Sequence, residues 1–214
     1  MTFLYYQLTT DNCIMKRRST PTPPARPTRF EQTLIGLDAR QLQELGSEFE
    51  ATRFIGCELG QANLGGLRFE DCLFERCDLA GARLAGTALQ NVAFADCRLL
   101  GVGFGACQDM LLALHFEYCQ LRYATFRGKK LVGTRFAHCQ MPEADFTNAD
   151  LSQAVFAHCD LAGTVFHDTR LVGTDFTTAT GFSFDPEANV LTGARFALEG
   201  LPGLLDKYGI VVTA

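Results

Sequence analysis

Four histidines, His115, His138, His158 and His167, and nine cysteines are the side chains of this 214-residue sequence best suited to hold a metal or act as a nucleophile. His138 and His158 stand twenty residues apart, and each is followed directly by a cysteine, Cys139 and Cys159. Two imidazoles and two thiolates close a tetrahedral zinc site when all four point at one centre. Asp145, Asp150, Asp160 and Asp175 each stand one place before a large apolar residue, with Glu143 and Asp168 close by. No phosphate-binding glycine loop, nucleophile motif or paired-carboxylate motif accompanies them. What these groups can do together depends on the period of the chain that carries them.

That period is five. From Cys119 to Phe176 the sequence reads CQL, ATF, KKL, TRF, CQM, ADF, ADL, AVF, CDL, TVF, TRL, TDF, each triplet ending on a large apolar centre with a small residue usually two places before it. A five-residue step turns about 500° on an α-helix and flips sides on a flat strand, so neither straight element keeps the centres together. Short extended pieces separated by bends do. The pleat then sends the centre and the residue two before it inward, and the residue between them outward.

The number of sides follows from longer periods. From Leu111 to Phe176 the centres alternate Leu (or Met141) with Phe, and from Phe49 to Leu84 they run Phe, Phe, Leu, Leu twice over. Periods of ten and twenty are both satisfied by four sides. Cys57, Cys77 and Cys97 are twenty apart, as are Cys119, Cys139 and Cys159, so each trio is expected to form a ladder up one side. Seven cysteines hold the small inward position, which reads as core packing. Rungs about 4.8 Å apart are too far for disulfides, whose Cβ atoms need about 3.5–4.5 Å. Inward cysteines also cannot join the outward histidines in a zinc site, and a filled coil has no cleft for catalysis. Neither a cofactor nor an enzyme activity is expected.

The A(D/N)LxG-like repeat resembles the pentapeptide-repeat proteins, and over about residues 45–214 it is most similar to the subgroup that acts on DNA gyrase: the Qnr quinolone-resistance, albicidin-resistance and microcin-immunity proteins. The resemblance implies an all-β solenoid, a right-handed quadrilateral β-helix with a short C-terminal helix and strand. It also implies a DNA mimic that binds gyrase, or topoisomerase IV, and protects it from quinolones or gyrase-directed toxins. The absence of a long loop near the middle makes the chain look more like the albicidin-resistance type. On this resemblance Glu143, Asp145, Asp150, Asp160, Asp168 and Asp175 form acid-rich faces that contact gyrase.

Charge is uneven along the chain. Residues 1–29 carry Lys16, Arg17, Arg18, Arg26 and Arg29 against Asp11, whereas residues 136–214 carry ten acids and three bases, within a formal net charge of −5. An acidic rod argues against direct nucleic-acid binding and for a partner that prefers polyanions. Negative charge also keeps a stack of apolar coils soluble, and composition taken alone favours that plainer reading. Free thiols point to the cytoplasm. No secretory signal and no membrane span is read, since no apolar run approaches the roughly 20 residues a span needs.

Three regions follow. Residues 1–29, with TPTPPARPT, read as a disordered or extended basic tail, with Met15 an alternative initiator. Residues 30–198 read as the β-helix, opened by Leu34, Leu37, Leu42 and Leu45 as a cap and broken in register near 105–111, where GACQDMLLAL suggests a helical turn that bends the rod. Lys129 falls at an inward position, so a bulge turning Lys129 or Lys130 outward is expected. After Phe176 one loose coil is expected before Leu191 and Phe196 return in phase. Residues 199–214 read as a helix over about 198–208, ended by Gly209, and a strand over 210–212. Leu201, Leu204, Leu205 and Tyr208, with Ile210 and Val212, are expected to pair two subunits end to end, as the resemblance implies. An end cap folded on the last coil is the alternative.

Overall fold

Each five-residue repeat makes one short extended piece and one turn. At most corners of the bridged sides the N–H three residues after a centre donates to that centre's carbonyl, as from Ala62 to Leu59 (3.1 Å), Ala82 to Leu79 (2.9 Å) and Ala154 to Leu151 (2.9 Å), which closes a β-turn. The residue two after the centre takes a left-handed conformation, with φ of 58° at Gln61, 65° at Gly81 and 53° at His138. Four such corners return the chain to its starting side, one rung higher. The computed structural model describes residues 26–210, and in it the chain is a four-sided parallel β-solenoid.

The first side is a seven-stranded parallel sheet whose strands run Gln32–Ile35, Thr52–Ile55, Leu73–Glu75, Val92–Ala95, Leu114–Glu117, Arg135–Ala137 and Val155–Ala157. Its register pairs Phe54 with Phe74, Phe74 with Phe94, Phe94 with Phe116, Phe116 with Phe136 and Phe136 with Phe156. The second and third sides are built of single bridges, Glu58 to Asp78 to Arg98 on one and Thr125 to Asp145 to Val165 on the other. The fourth begins as a three-stranded sheet, Glu48–Glu50, Arg68–Glu70 and Ala88–Gln90, and continues above the register break as the bridges Lys130 to Asp150 to Arg170.

Like stacks on like, as the twenty-residue period predicts. On the first side Phe54, Phe74, Phe94, Phe116, Phe136, Phe156, Phe176 and Phe196 stack face to face with centroids 4.6–5.4 Å apart. On the third, Phe104, Phe126, Phe146 and Phe166 do the same at 4.7–5.4 Å. The two columns meet edge to face at 5.4–6.0 Å, the geometry that brings ring edges against ring faces. Leu59, Leu79, Leu99, Leu121, Met141 and Leu161 fill the second side, all buried.

The register break differs from its expected form. The coil that contains it is two residues longer than its neighbours, a short 3-10 turn spans Phe104–Ala106, and the first-side sheet passes the break without interruption. Leu111, read as a centre, has φ 55° and is 72 % exposed, while Leu112 and Leu114 turn inward in its place. The two extra residues shift the pleat, so the apolar side chain nearest the right phase is taken instead. A leucine in the left-handed region costs about 1–2 kcal/mol. Leu111→Gly is therefore expected to raise the urea midpoint, by about 1 kcal/mol of stability, with an unchanged slope; a lower midpoint would show that Leu111 packs.

Lys129 is not turned out by a bulge. Its ammonium is buried and donates to the Cys107 carbonyl (2.7 Å) and to Asp109 Oδ1 (2.6 Å), while Lys130 faces solvent. The longer coil leaves unpaired oxygens at the corner below, and a long cation satisfies both, which removes the cost of an unpartnered buried charge.

Both ends of the described chain are covered. Asp38 caps the helix Ala39–Leu45 in a reciprocal capping box with Gln41, and this helix drops Leu42, fully buried, onto the first coil, with Leu34 and Leu37 packed beside it and Leu45 exposed. At the other end Phe182 and Phe184 fill the loose coil. Beyond it the expected helix is two 3-10 segments, Leu198–Leu204 and Asp206–Tyr208, stopped by Gly209 at φ 63°. Pro202, which cannot donate into an α-helical ladder, lies inside the first segment. Ile210 is in no strand, and Val212 lies outside the described residues. Of the N-terminal region, residues 1–25 lie outside them too. Arg26 to Phe30 lies against the first side rather than free: Phe30 packs on Leu73, Ala93 and Ala95, and Arg26 pairs with Glu117.

Candidate functional site

The inward pleat position decides the fate of the cysteines. Cys57, Cys77, Cys97, Cys119, Cys139 and Cys159 form one continuous ladder rather than two, because the longer coil carries Cys97 onto Cys119. Most thiols of this ladder donate to a carbonyl of the coil below, as Cys77 to Phe54 and Cys159 to Phe136, both at 3.5 Å. Among the described residues all eight cysteines are free and buried. His138 and His158 point outward from the corners, so the four groups singled out for zinc face opposite ways. Among the described residues no three His, Cys, Asp or Glu side chains gather as a metal site.

The outward histidines do stack. Tyr118, His138 and His158 occupy one corner column with ring centroids 4.7 and 4.9 Å apart and planes within 15°. Tyr118 was not singled out from sequence, although it stands two residues after Phe116, the same place His138 holds after Phe136.

The carboxylates are distributed around the rod. Bridges place Asp175 on the first side, Asp160 on the second, Asp145 on the third and Asp150 on the fourth. Glu143 and Asp168 sit on corners, with φ 58° and 52°. No one side gathers them, since offsets of five, ten and fifteen residues within a twenty-residue coil are offsets of one, two and three sides. They form a belt.

Each belt aspartate also holds its own turn. One carboxylate oxygen accepts the N–H two residues on: Thr147 to Asp145 (2.8 Å), Ser152 to Asp150 (3.0 Å), Ala162 to Asp160 (3.1 Å) and Thr177 to Asp175 (2.9 Å), the Asx-turn that favours Asp and Asn before a bend. The other oxygen faces outward, and in three of the four it meets an arginine: Arg127 at Asp145, Arg170 at Asp150 and Arg195 at Asp175. Glu143 pairs with Arg122 at 2.9 Å. Partial burial pushes Asp145 and Asp175 up, but the Thr147 and Thr177 hydrogen bonds and the arginines outweigh it and hold both below the usual carboxylate range. Arg170 and Arg195 lie one coil after Asp150 and Asp175, a spacing already legible in the sequence.

The C-terminal apolar residues divide. Leu204 packs against the core and Leu205 is half-buried, whereas Leu201, Tyr208 and Ile210 are exposed, with Leu198 77 % exposed beside them. Lys207 ties this segment down through Asp185 and Glu187, both at 2.6 Å.

Among described residues, no helix is long and apolar enough to cross a membrane. No curated protein matches the sequence. Among solved structures, trypsin-treated QnrB1, a plasmid-mediated fluoroquinolone resistance protein, is similar at 19 % identity over 86 % of this chain and 99 % of that one, with a TM-score of 0.46. HetL, involved in heterocyst differentiation regulation in the cyanobacterium Nostoc, is similar at 15 % identity over 84 % and 91 %, with a TM-score of 0.34. A pentapeptide repeat protein of the Arabidopsis thaliana thylakoid lumen is similar at 23 % identity over 57 % and 70 %, with a TM-score of 0.18. The family model described as pentapeptide repeat region matches residues 47–126 and 102–176. Those matches coincide with the stacked four-sided coils, and the chain belongs to the pentapeptide-repeat family.

Proposed function

We propose that the protein is a DNA mimic that binds DNA gyrase, or topoisomerase IV, and shields it from quinolones or gyrase-directed toxins. The observation that supports this reading is the carboxylate belt: a narrow rod with acids on all four sides, in a stretch where ten acids outnumber three bases, keeps a net negative charge although arginines pair three of its four aspartates. A cationic channel built for duplex DNA attracts such a surface, and the contact weakens steeply as salt rises. The exposed Leu198, Leu201, Tyr208 and Ile210 at the end of the rod support a homodimer joined end to end through the C-terminus.

The Asx-turns dictate the test. Alanine at the belt would remove charge and turn together, whereas Asp→Asn at 145, 150, 160 and 175 keeps the accepting oxygen and removes only charge. Supercoiling by purified gyrase is measured with a fluoroquinolone or albicidin, with this protein titrated in. Protection by the parent, and at least a tenfold higher concentration needed by the Asn variant, is the expected result. Equal potency of the two would remove the belt from the interface, and no salt-sensitive gyrase binding by the parent would remove the reading.

A second reading has its own support. Three of the four belt aspartates are already neutralised by arginines, which suits a scaffold that holds another protein on its flat sides without a topoisomerase partner. Gyrase pull-down across a salt series separates the two.

A further inference from the structure

A polar atom buried without a partner forfeits its hydrogen bonds to water, so few are left that way in a folded chain. Among the described residues His115 Nε2 is one. It lies in a groove of about 170 Å³ on the first side, walled by Arg26, His115, Glu117 and Arg135. Ala93 and Ala137 add an apolar lining.

The first-side sheet sets these groups side by side. Phe116 points into the core, so His115 and Glu117 on either side of it point outward. His115 is in register with Ala93 on the strand before and with Arg135 on the strand after, and Glu117 with Ala95 and Ala137. Strands lie about 4.8 Å apart. An outward imidazole and an outward guanidinium therefore stand on adjacent rungs, each beside an alanine. The segment from Arg26 to Phe30 supplies the remaining wall: Phe30 packs on Leu73, Ala93 and Ala95, and Arg26 pairs with Glu117.

Charge and shape select what fits. Arg26 and Glu117 cancel one another, and burial, followed by the Arg26 charge, holds the His115 imidazole below its ordinary pKa, so the ring is neutral. Arg135 is exposed and has no ion-pair partner among the described residues, which leaves its positive charge uncompensated. A guanidinium fork matches both oxygens of a carboxylate. A neutral imidazole in its Nε2–H tautomer donates to the same group and so gains the partner it lacks. The alanine methyls suit a carbon chain, whereas a phosphate would turn ionised oxygens onto them. At about 30 Å³ for each water-sized group, the groove holds about five or six non-hydrogen atoms.

We propose that this groove binds a small monocarboxylate with a short carbon chain, gripped by Arg135 through both oxygens and by His115 Nε2 through one, its chain lying on Ala93 and Ala137. Arg26 serves the site indirectly, by neutralising the Glu117 carboxylate that would otherwise repel the anion. The site does not rest on gyrase or on any other protein partner.

Butyrate, which is about the right size, is the probe. Titrated into the isotope-labelled full chain at fixed ionic strength, it is expected to shift the amide signals of His115, Arg135 and Ala137 saturably, with half-saturation on the order of 1 mM. The His115 Nε2 resonance should move on the same curve. Arg135→Gln should weaken binding by about tenfold or more. Arg83→Gln, which removes the same charge from an exposed position on the third side, should leave it unchanged. Butan-1-ol and inorganic phosphate should produce no saturable shift at these signals. Absence of saturation by roughly 50 mM butyrate would mean that the groove holds only water and would overturn the proposal. Phosphate binding as tightly as butyrate, equal losses from Arg135→Gln and Arg83→Gln, or an Nε2 resonance that stays still while the amides saturate would overturn it equally.

Discussion

Phe136→Ala is expected to lower the free energy of unfolding by about 3–5 kcal/mol, the range for deleting a fully buried aromatic ring. Phe136 is fully buried, stacked between Phe116 at 5.1 Å and Phe156 at 5.0 Å and touched edge-on by Phe126 and Phe146. Its cavity cannot collapse, because the rungs on either side are held at strand spacing by main-chain hydrogen bonds. Phe196 ends the same column, stacks on one neighbour of it and is only half-buried. Phe196→Ala should therefore cost less than half as much. Urea unfolding of both variants measures the difference; equal losses would mean that the column does not act as a stack.

Alkaline pH should unfold the protein cooperatively. A thiol in an unfolded chain releases its proton near pH 8.5. In the fold, burial pushes Cys72 up to about 11 and Cys107 to about 12. Cys77 and Cys139 are helped by the thiols below them, Cys57 and Cys119, but the thiols above them and burial outweigh this and leave both at about 12. Cys57, Cys97 and Cys119 are raised further, while Cys159 moves down through its bond from Cys139.

A raised folded pKa means that the native state keeps protons the unfolded state has lost. This stabilisation is complete below pH 8.5 and disappears as pH climbs toward 11–12. Each thiol removes up to about 1.4 kcal/mol per pH unit, so four together exhaust a stability of about 5–15 kcal/mol within one to three units. Circular dichroism and thiolate absorbance should change together between about pH 9.5 and 11. Thiols that titrate one by one in a chain still folded at pH 12 would contradict this.

The winding was legible because it rests on period alone. Twenty-residue recurrence of Phe54, Phe74 and Phe94 requires nothing but that like side chains share a side, and the structure stacks them so. What could not be read were the places where two residues compete for one position. Leu111 and Leu112 are chemically identical, and only the path of a coil two residues longer selects Leu112. Lys129 looked like an error in the pattern because its partners, the Cys107 carbonyl and Asp109, lie about one coil away at a corner whose shape the sequence does not spell out. For the candidate site, the acids were legible as a C-terminal concentration. Their spread over four sides was available from the same arithmetic, whereas their second employment as turn-makers shows only in the hydrogen bonds.

The twenty-residue coil sets a unit of length for the molecule. Removing Gln140–Cys159 joins Cys139 to Asp160, brings Phe176 onto Phe136 and leaves every other column in phase. Removing any number that is not a whole coil misaligns all that follows, unless a corner absorbs the difference as the Cys107 to Leu112 stretch does for two residues. Duplication and loss of genetic material in steps of sixty nucleotides thus lengthen or shorten this rod without requiring any other residue to change, and its reach can be tuned separately from its interior.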